Sequence, residues 1–327
     1  MQGMKYVYTV YQEKSFSAAA RRLFVSQPAL SAAVKKVETE LGLLIFDRST
    51  TPIQLTTAGR AYIEAAEQIM GIQKRLHTYV NDLANLESGA LSLGGTNFYA
   101  SCLLPPMLKA FSDAWPKIRL RVTESDSADL FARLLTDQLD LIVDSGSYDK
   151  TLYETIPLYS EHILLAVPAA HPKNKTYAAA RLTQTDIMAG AAKDAAIPSL
   201  PLTAFADAPF LLLGRGNDLY RRALDLCRHE GFVPQVRLYL NQLMTAYHMG
   251  RQGLGVTFLT DSLIKLSMPS QAMVYYKIQD PEATRPIFMA IHKNTYRTRA
   301  MQEFIRIGKQ LYPDGALQND CIPCSSK

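Results

Sequence analysis

The chain is poor in the groups that enzymes, metalloproteins and secreted scaffolds depend on. Four cysteines in 327 residues cannot supply a disulfide framework. Cys102 and Cys227 fall in helix-like stretches and read as small core residues. Cys321 and Cys324 form a CxxC in a short polar tail, with no second CxxC and no histidine beside it, so a zinc site is not expected there. The six histidines, at 77, 162, 171, 229, 248 and 292, are scattered without ligand spacing. There is no GxSxG elbow, no Walker loop, no HExxH and no GxGxxG after a strand, and Gly214-Arg215-Gly216 lacks a third glycine and reads as a loop. No enzyme, metal or cofactor is expected from such a sequence. Apolar runs stay well short of the ~18 residues that a membrane helix needs, and the N-terminus lacks a signal-peptide pattern. A cytoplasmic location is the expectation.

What is present is core-forming material. Hydrophobic residues make up 48% of the chain and charged residues 20%, which excludes wholesale disorder. The length suits two or three domains of ~100–200 residues. The formal net charge of +5 is unevenly spread. Residues 1–60 hold eight Lys/Arg against four Asp/Glu, a small basic module at one end that suits a polyanionic partner.

Periodicity divides the chain. Met4, Val7, Val10 and Tyr11 lie at helical spacing. Ser17 is placed to cap a short second helix over 18–23, and Phe24-Val25 make a tight connection. Ser26 caps a third helix with Pro28 in its first turn, where a missing N–H costs nothing. Leu30, Val34, Val37 and Leu41 form its apolar stripe, and Gly42 stops it. Short strands over 43–46 and 53–55 flank a Thr/Pro turn. Three helices and a hairpin within residues 1–57 make a winged helix-turn-helix. Over 58–88, Tyr62, Ile69, Leu76 and Leu83 repeat by seven, with Ala65, Ile72, Tyr79 and Leu86 three residues later. These are the a/d pairs of a coiled-coil seam about 45 Å long at ~1.5 Å per residue, and they predict a dimerisation helix.

After Gly89 strands alternate with helices, which predicts parallel sheet with crossovers. Strands are expected at 91–94, 118–123, 139–144, 163–167, 210–213, 235–240 and 256–259, with helices over 98–114, 128–136, 219–230 and 242–251. Residues 274–292 read as strands returning to the first subdomain, and 295–311 as a closing helix. The Ala-rich stretch 173–201 reads as an insertion with one short helix, and 313–327 as a tail.

The chemistry-bearing run is 16–35. Ala18, Ala19 and Ala20 are small, as a close helix crossing demands. Ser26 and Gln27 open the third helix at the end that points into a major groove. Gln27 can pair bidentately with adenine, and Ser31 lies one turn further along the same face. Lys35 and Lys36, with Arg22, suit flanking phosphates, which position without choosing sequence. Arg48 and Thr50 sit at the hairpin, where a wing meets backbone or minor groove. Each residue alone also fits an ordinary cap or solvated face; together they point to double-stranded DNA.

These residues carry a resemblance. Ser15-Phe16-Ser17, Ala19-Ala20-Arg21-Arg22-Leu23, Val25-Ser26-Gln27-Pro28-Ala29-Leu30-Ser31, Glu40-Leu41-Gly42, Phe46-Asp47-Arg48 and Leu55-Thr56-Thr57-Ala58-Gly59 resemble the N-terminal domain of LysR-type transcriptional regulators. Leu104-Pro105, Trp115-Pro116, Leu139-Asp140-Leu141, Pro168 with His171-Pro172, and Gly253-Leu254-Gly255 resemble their effector-binding part. Two positions depart from the pattern: Ala32 stands where many members have a basic residue, and Asp137 where a Gly is common. Asp tolerates the left-handed turn, so the fold should survive. The resemblance implies an α/β protein with a winged helix-turn-helix (1–57), a long linker helix (58–88) and a periplasmic-binding-protein-like effector domain (89–312). That domain's subdomains are expected at 89–163 with 268–312, and at 164–267, with a ligand cleft between them.

Ligands in open α/β sheets bind beyond the carboxyl ends of strands, where helix N-termini also point. Thr96, Asn97 and Phe98, Ser145 and Gly146, and Asn241 stand at such ends, and Thr257 with Phe258 is expected to close the wall. N–H groups and helix dipoles there favour a small organic acid, although such residues also cap helices without any ligand. The expected protein is a sequence-specific DNA-binding regulator, a homodimer or homotetramer, controlled by a small-molecule effector. The rival from another class is a solute-binding protein or enzyme on the same α/β fold. A redox sensor bridging Cys102 and Cys227 is a third possibility.

Overall fold

The protein is seen in a computed structural model that describes residues 2–50, 52–82 and 89–312. It divides into two compact units, Met1–His77 and Thr78–Lys327.

In the first unit α1 (Gln2–Glu13), α2 (Phe16–Leu23) and α3 (Gln27–Leu41) precede a hairpin of β1 (Phe46–Asp47) and β2 (Gln54–Leu55). Val7, Val10, Ala19, Ala20, Leu30, Val34 and Phe46 form one core. The cap of α2 is Ser15, whose Oγ accepts from Ala18 N at 3.3 Å, rather than Ser17. The helix therefore starts earlier and buries Phe16. Ser26 caps α3 as expected, and Gly42 ends it at φ +71°. The hairpin is shorter than its apolar residues suggest. Buried Glu38 accepts from Ile45 N at 2.9 Å, taking a donor that a longer ladder would have used. At Gly59 a Cβ would fall 2.0 Å from Ile45 O, so only glycine permits this approach to the hairpin. Gly59 lies in α4 (Thr57–Asp82), along which Ala65, Ile69, Ile72 and Leu76 are exposed. Leu83, Leu86 and the side chain of Tyr79 lie outside the described residues, as do Cys321 and Cys324.

The second unit contains β3 (Gly89–Gly95), α5 (Leu104–Ala114), β4 (Ile118–Glu124), α6 (Ser127–Leu135), β5 (Leu141–Asp144) and β6 (Tyr153–Pro168). Next come α7 (Lys173–Thr176), α8 (Gln184–Met188), β7 (Pro209–Leu213), α9 (Asp218–His229), β8 (Gln235–Leu240), α10 (Leu243–Arg251) and β9 (Val256–Thr260). The unit closes with α11 (Asp261–Leu266), β10 (Met273–Lys277), β11 (Thr284–His292) and α12 (Arg299–Leu311). The strand order is β4-β3-β5-β11-β6-β9-β7-β8, with β10 on β6. β3 pairs in parallel with β4 and β5, and β7 with β8 and β9, giving two wound halves.

Four expectations are corrected. The single helix over 98–114 is a π turn at Tyr99–Leu103 leading into α5, whose first turn holds Pro105 and Pro106, residues without an N–H to continue the earlier turn. The strand at 163–167 is the end of the 16-residue β6. Its first part pairs with β11 and its last residues with β9 and β10, so one strand serves both halves. The β10 segment, expected in the first subdomain, pairs with β6 beyond Ile163, and Tyr275 and Tyr276 join the core of Phe210 and Leu259. The insertion holds two short α-helices rather than one and contributes Ala180, Leu182, Ile187 and Leu200 to that same core. Asp137 adopts φ +56°, the left-handed turn anticipated for it, and its carboxylate accepts from Thr295 Oγ1 at 2.6 Å. No helix among the described residues is long and apolar enough to cross a membrane.

Candidate nucleic-acid interface and effector cleft

The N-terminal end of α3 presents Ser26, Gln27 and Pro28 to solvent, with Ser31 half-buried one turn on. Ser26 Oγ is occupied as the cap, accepting from Ala29 N at 3.3 Å, while the Gln27 side chain has no partner among the described residues. Lys35 and Lys36 are exposed and form no ion pair among the described residues. Leu30 and Val34 anchor α3 in the core. The helix thus buries the stripe of Leu30 and Val34 and exposes another with Lys35, Lys36 and Thr39, while Gln27, in line with Val34, is exposed because it stands in the first turn.

Arg22 and Arg48 are less available. Arg22 pairs with Glu13 at 2.6 Å. Arg48 pairs with buried Glu38 at 3.0 Å, reaches Ser31 Oγ at 3.5 Å and lies 4.9 Å over the Phe16 ring. Its first task is to neutralise Glu38, a positioning role that the hairpin reading missed. Thr50 Oγ1 donates to Asp47 O at 3.3 Å within the turn.

In the second unit a cavity of about 470 Å³ opens beyond the carboxyl ends of β3, β4, β5, β7 and β8. Thr96, Asn97, Phe98, Ser145 and Asn241 line it, as their strand-end positions predict. Gly146 lines a neighbouring cavity that shares Ser127 and Asn217 with the first. Thr257 and Phe258 do not line it. Thr257 Oγ1 donates to Leu211 O at 2.7 Å, and Phe258 stacks on Phe210 at 5.8 Å, so both belong to the core. A strand in mid-sheet turns its side chains into the layers above and below, not towards its end.

The cavity also has walls that spacing did not reveal. Glu124, Asp126, Asp144 and Asp218 line it, against Arg215 and Arg285. The α6 N-terminus is capped by Asp126, whose Oδ1 accepts from Asp129 N at 2.9 Å, and the α9 N-terminus by Asn217, which accepts from Leu219 N at 2.9 Å. Asn97 donates to Glu124 at 2.7 Å.

Behind this lining runs a buried ion network. Arg285 on β11 faces its register partner Glu161 on β6, Nε to Oε1 2.8 Å, and reaches Asp218 at 3.3 Å. Tyr99 donates to the same Glu161 oxygen at 3.2 Å. Arg222 holds Asp218 at 2.7 Å. Burial alone would deprotonate Arg285 more easily; Tyr99, Glu161 and Asp218 outweigh it and keep the guanidinium charged. Burial pulls Asp218 up, but Arg285 and Arg222 hold it below the usual carboxylate range. Asp144 differs. Burial pushes it above that range, against smaller opposing effects of Ser127, the Ser145 N–H and Arg285.

Comparison with known proteins places this architecture. Residues 84–312 match the family model described as LysR substrate binding domain, and residues 1–60 match that of bacterial regulatory helix-turn-helix protein, lysR family. A Bacillus subtilis (strain 168) relative, the uncharacterized HTH-type transcriptional regulator YcgK, is 29% identical over 320 residues, covering 97% of each chain. The solved structure of a full-length OxyR from Pseudomonas aeruginosa, a variant with one cysteine replaced by aspartate, is similar at TM-score 0.68 and 26% identity, over 94% of this chain and 93% of that one. Full-length CbnR complexed with its target DNA is similar at TM-score 0.64 and 20% identity, over 94% and 98%.

Proposed function

This chain belongs to the LysR family of bacterial helix-turn-helix transcriptional regulators, and on that premise we propose that it reads a specific duplex with the N-terminal end of α3 and responds to a small molecule held in its C-terminal cleft. The carrying observation is a set of exposed, uncommitted polar side chains on α3, Gln27 in its first turn with Lys35 and Lys36 further along, on a helix that Leu30 and Val34 anchor in the core. Gln27 reads a base edge, Ser31 supports it, and the lysines meet phosphate. Arg22, Ser26, Pro28, Arg48 and Thr50 shape and flank that surface. CbnR, which shares the fold, has been solved with its target DNA, and this supports the assignment of a duplex partner. Such a partner goes with a cytoplasmic location.

The effector domain spans 89–312 in this reading, and α4 pairs two chains through Ala65, Ile69, Ile72 and Leu76, apolar residues that its own unit leaves exposed. A bound effector changes DNA affinity only through unequal affinity for two protein states, by ~1–3 kcal/mol. Strand β6, which serves both halves, provides a joint about which they can close over a ligand. The strand ends and helix N-termini that lead to a small organic acid in the sequence are here accompanied by four carboxylates, which oppose an anion. A redox switch has little support. Burial pushes the Cys227 thiol up to about 12 and also raises Cys102, so neither is primed as a thiolate.

Selection of duplexes from a random pool by the purified full-length protein tests the function. A single enriched motif with two half-sites ~34 Å apart, or a multiple of that, is expected. Retention of all sequences alike would refute it.

A further inference from the structure

Asp144 is the anomaly of the cleft. It is 2% exposed at the end of β5, and Ser145 N donates to its Oδ1 at 2.7 Å. Its Oδ2 is buried without a hydrogen-bond partner, while Ser127 and the Gly146 backbone offset part of the burial of the carboxylate. Among the described residues three other buried side-chain atoms lack a partner, on Trp115, Glu161 and Tyr275, and none of those residues lines the cavity. A carboxylate oxygen left unsatisfied in a core is a plain cost; one left unsatisfied on a cavity wall is a waiting acceptor.

The other charges of the lining are already spent. Asp218 is held by Arg222 and Arg285, and Arg285 is held in turn by Glu161. Two of the helix N-termini at the cavity carry their own compensation, Asp126 as the cap of α6 and Asp218 in the first turn of α9, whereas that of α10 has neither a side-chain cap nor an acidic first turn. Arg215, on the rim, is the lining cation without a partner among the described residues, against Asp144 and the exposed Glu124. A dicarboxylate entering here would meet more like charge than unlike.

We propose that the cleft ligand carries a cationic nitrogen, an ammonium or amidinium group, that takes Asp144 Oδ2 as its acceptor and counter-ion. The proposal rests on the cleft being the effector site and adds the ligand's chemical class. An N–H donor of positive charge satisfies the orphan oxygen and offsets the burial of the carboxylate in one contact. A carboxylate at the far end of the same molecule is compatible through Arg215, so diamines and zwitterions both qualify while dianions do not.

The test is a thermal-shift series on the full-length protein with chain-matched probes: putrescine, 4-aminobutyrate and succinate, then cadaverine, 5-aminovalerate and glutarate. At probe concentrations of about 10 mM, at least one amine-bearing member should raise the melting temperature by about 2–4 °C, with the matched diacid inert. The shift should vanish in Asp144→Asn, and in Asp144→Ser should the amide disturb the fold. Absence of any amine shift, or an amine shift that survives both Asp144 variants, overturns the proposal. A diacid shift abolished by Thr96→Val and Asn241→Leu overturns the cation while keeping the cleft. A shift indifferent to Thr96, Asn241 and Asp144 variants removes the cleft reading itself.

Discussion

The two units handle polar side chains in opposite ways. On α3 the residues assigned to recognition stand apart: Gln27, Lys35 and Lys36 are exposed and have no side-chain partners among the described residues. Around the cleft, by contrast, Arg285, Glu161, Asp218, Arg222 and Tyr99 are tied into one buried network. The difference follows from the partner each surface suits. A duplex is a rigid polyanion that supplies its own ordered acceptors, so a fixed helix with uncommitted donors is enough. A small molecule must be met on several sides at once, so its pocket needs walls held rigid by bonds among themselves and one or two groups left unsatisfied for the ligand.

The most disruptive way to break this contrast is to charge the helix that connects its parts. Ile72→Lys with Leu76→Lys places four ammonium groups in one seam if α4 pairs two chains. Sedimentation should then show monomer where the parent is at least a dimer. Assembly unchanged by the double substitution would end the coiled-coil reading.

Next in size is the network itself. Arg285→Met leaves Glu161 buried without its cation and should cost about 3–5 kcal/mol in urea unfolding, whereas Lys35→Ala should leave stability unchanged. The pH dependence has a definite sign. Asp218 is held below its ordinary range when folded, so its contribution is present above the unfolded value and is lost as pH falls through the folded one. The parent should therefore lose stability on acidification, and Arg285→Met should lose less.

The smallest stability effect should be a gain. Asp144 is raised on folding, so its ionised form is a burden that grows as pH rises through the folded value. Asp144→Asn should stabilise the unliganded protein by about 1 kcal/mol at neutral pH, an advantage that disappears as the pH is lowered. A loss of stability at neutral pH would mean that the carboxylate is satisfied in a way its geometry does not reveal.

The same contrast explains what was legible in the sequence. The first unit could be read almost residue by residue, because caps, stripes and the Pro28 first turn are local. Its errors, Ser17 for Ser15 and the unforeseen pairing of Arg48 with Glu38, involve shifts of a residue or two and one contact across ten positions. In the second unit strand ends gave Thr96, Asn97, Ser145 and Asn241, since a strand-helix junction is also local. Arg285 lies 124 positions from Glu161, and no periodicity announces that pair. Thr257 and Phe258 failed for a related reason: polarity and an aromatic in a strand say nothing about which strand has its end at the cavity. The crossing at β6 was hidden because 153–168 is a single strand that changes partners midway.

The central claim is that α3 chooses sequence through Gln27 and gains affinity through its lysines. Fluorescence titration of the parent, Gln27→Ala and Lys35→Ala on the selected duplex and on a random one tests it most directly. Gln27→Ala should lose ~1–3 kcal/mol on the selected duplex and almost nothing on the random one, while Lys35→Ala should weaken both alike and lower the salt slope by about one. Equal losses for Gln27→Ala on the two duplexes would contradict the account.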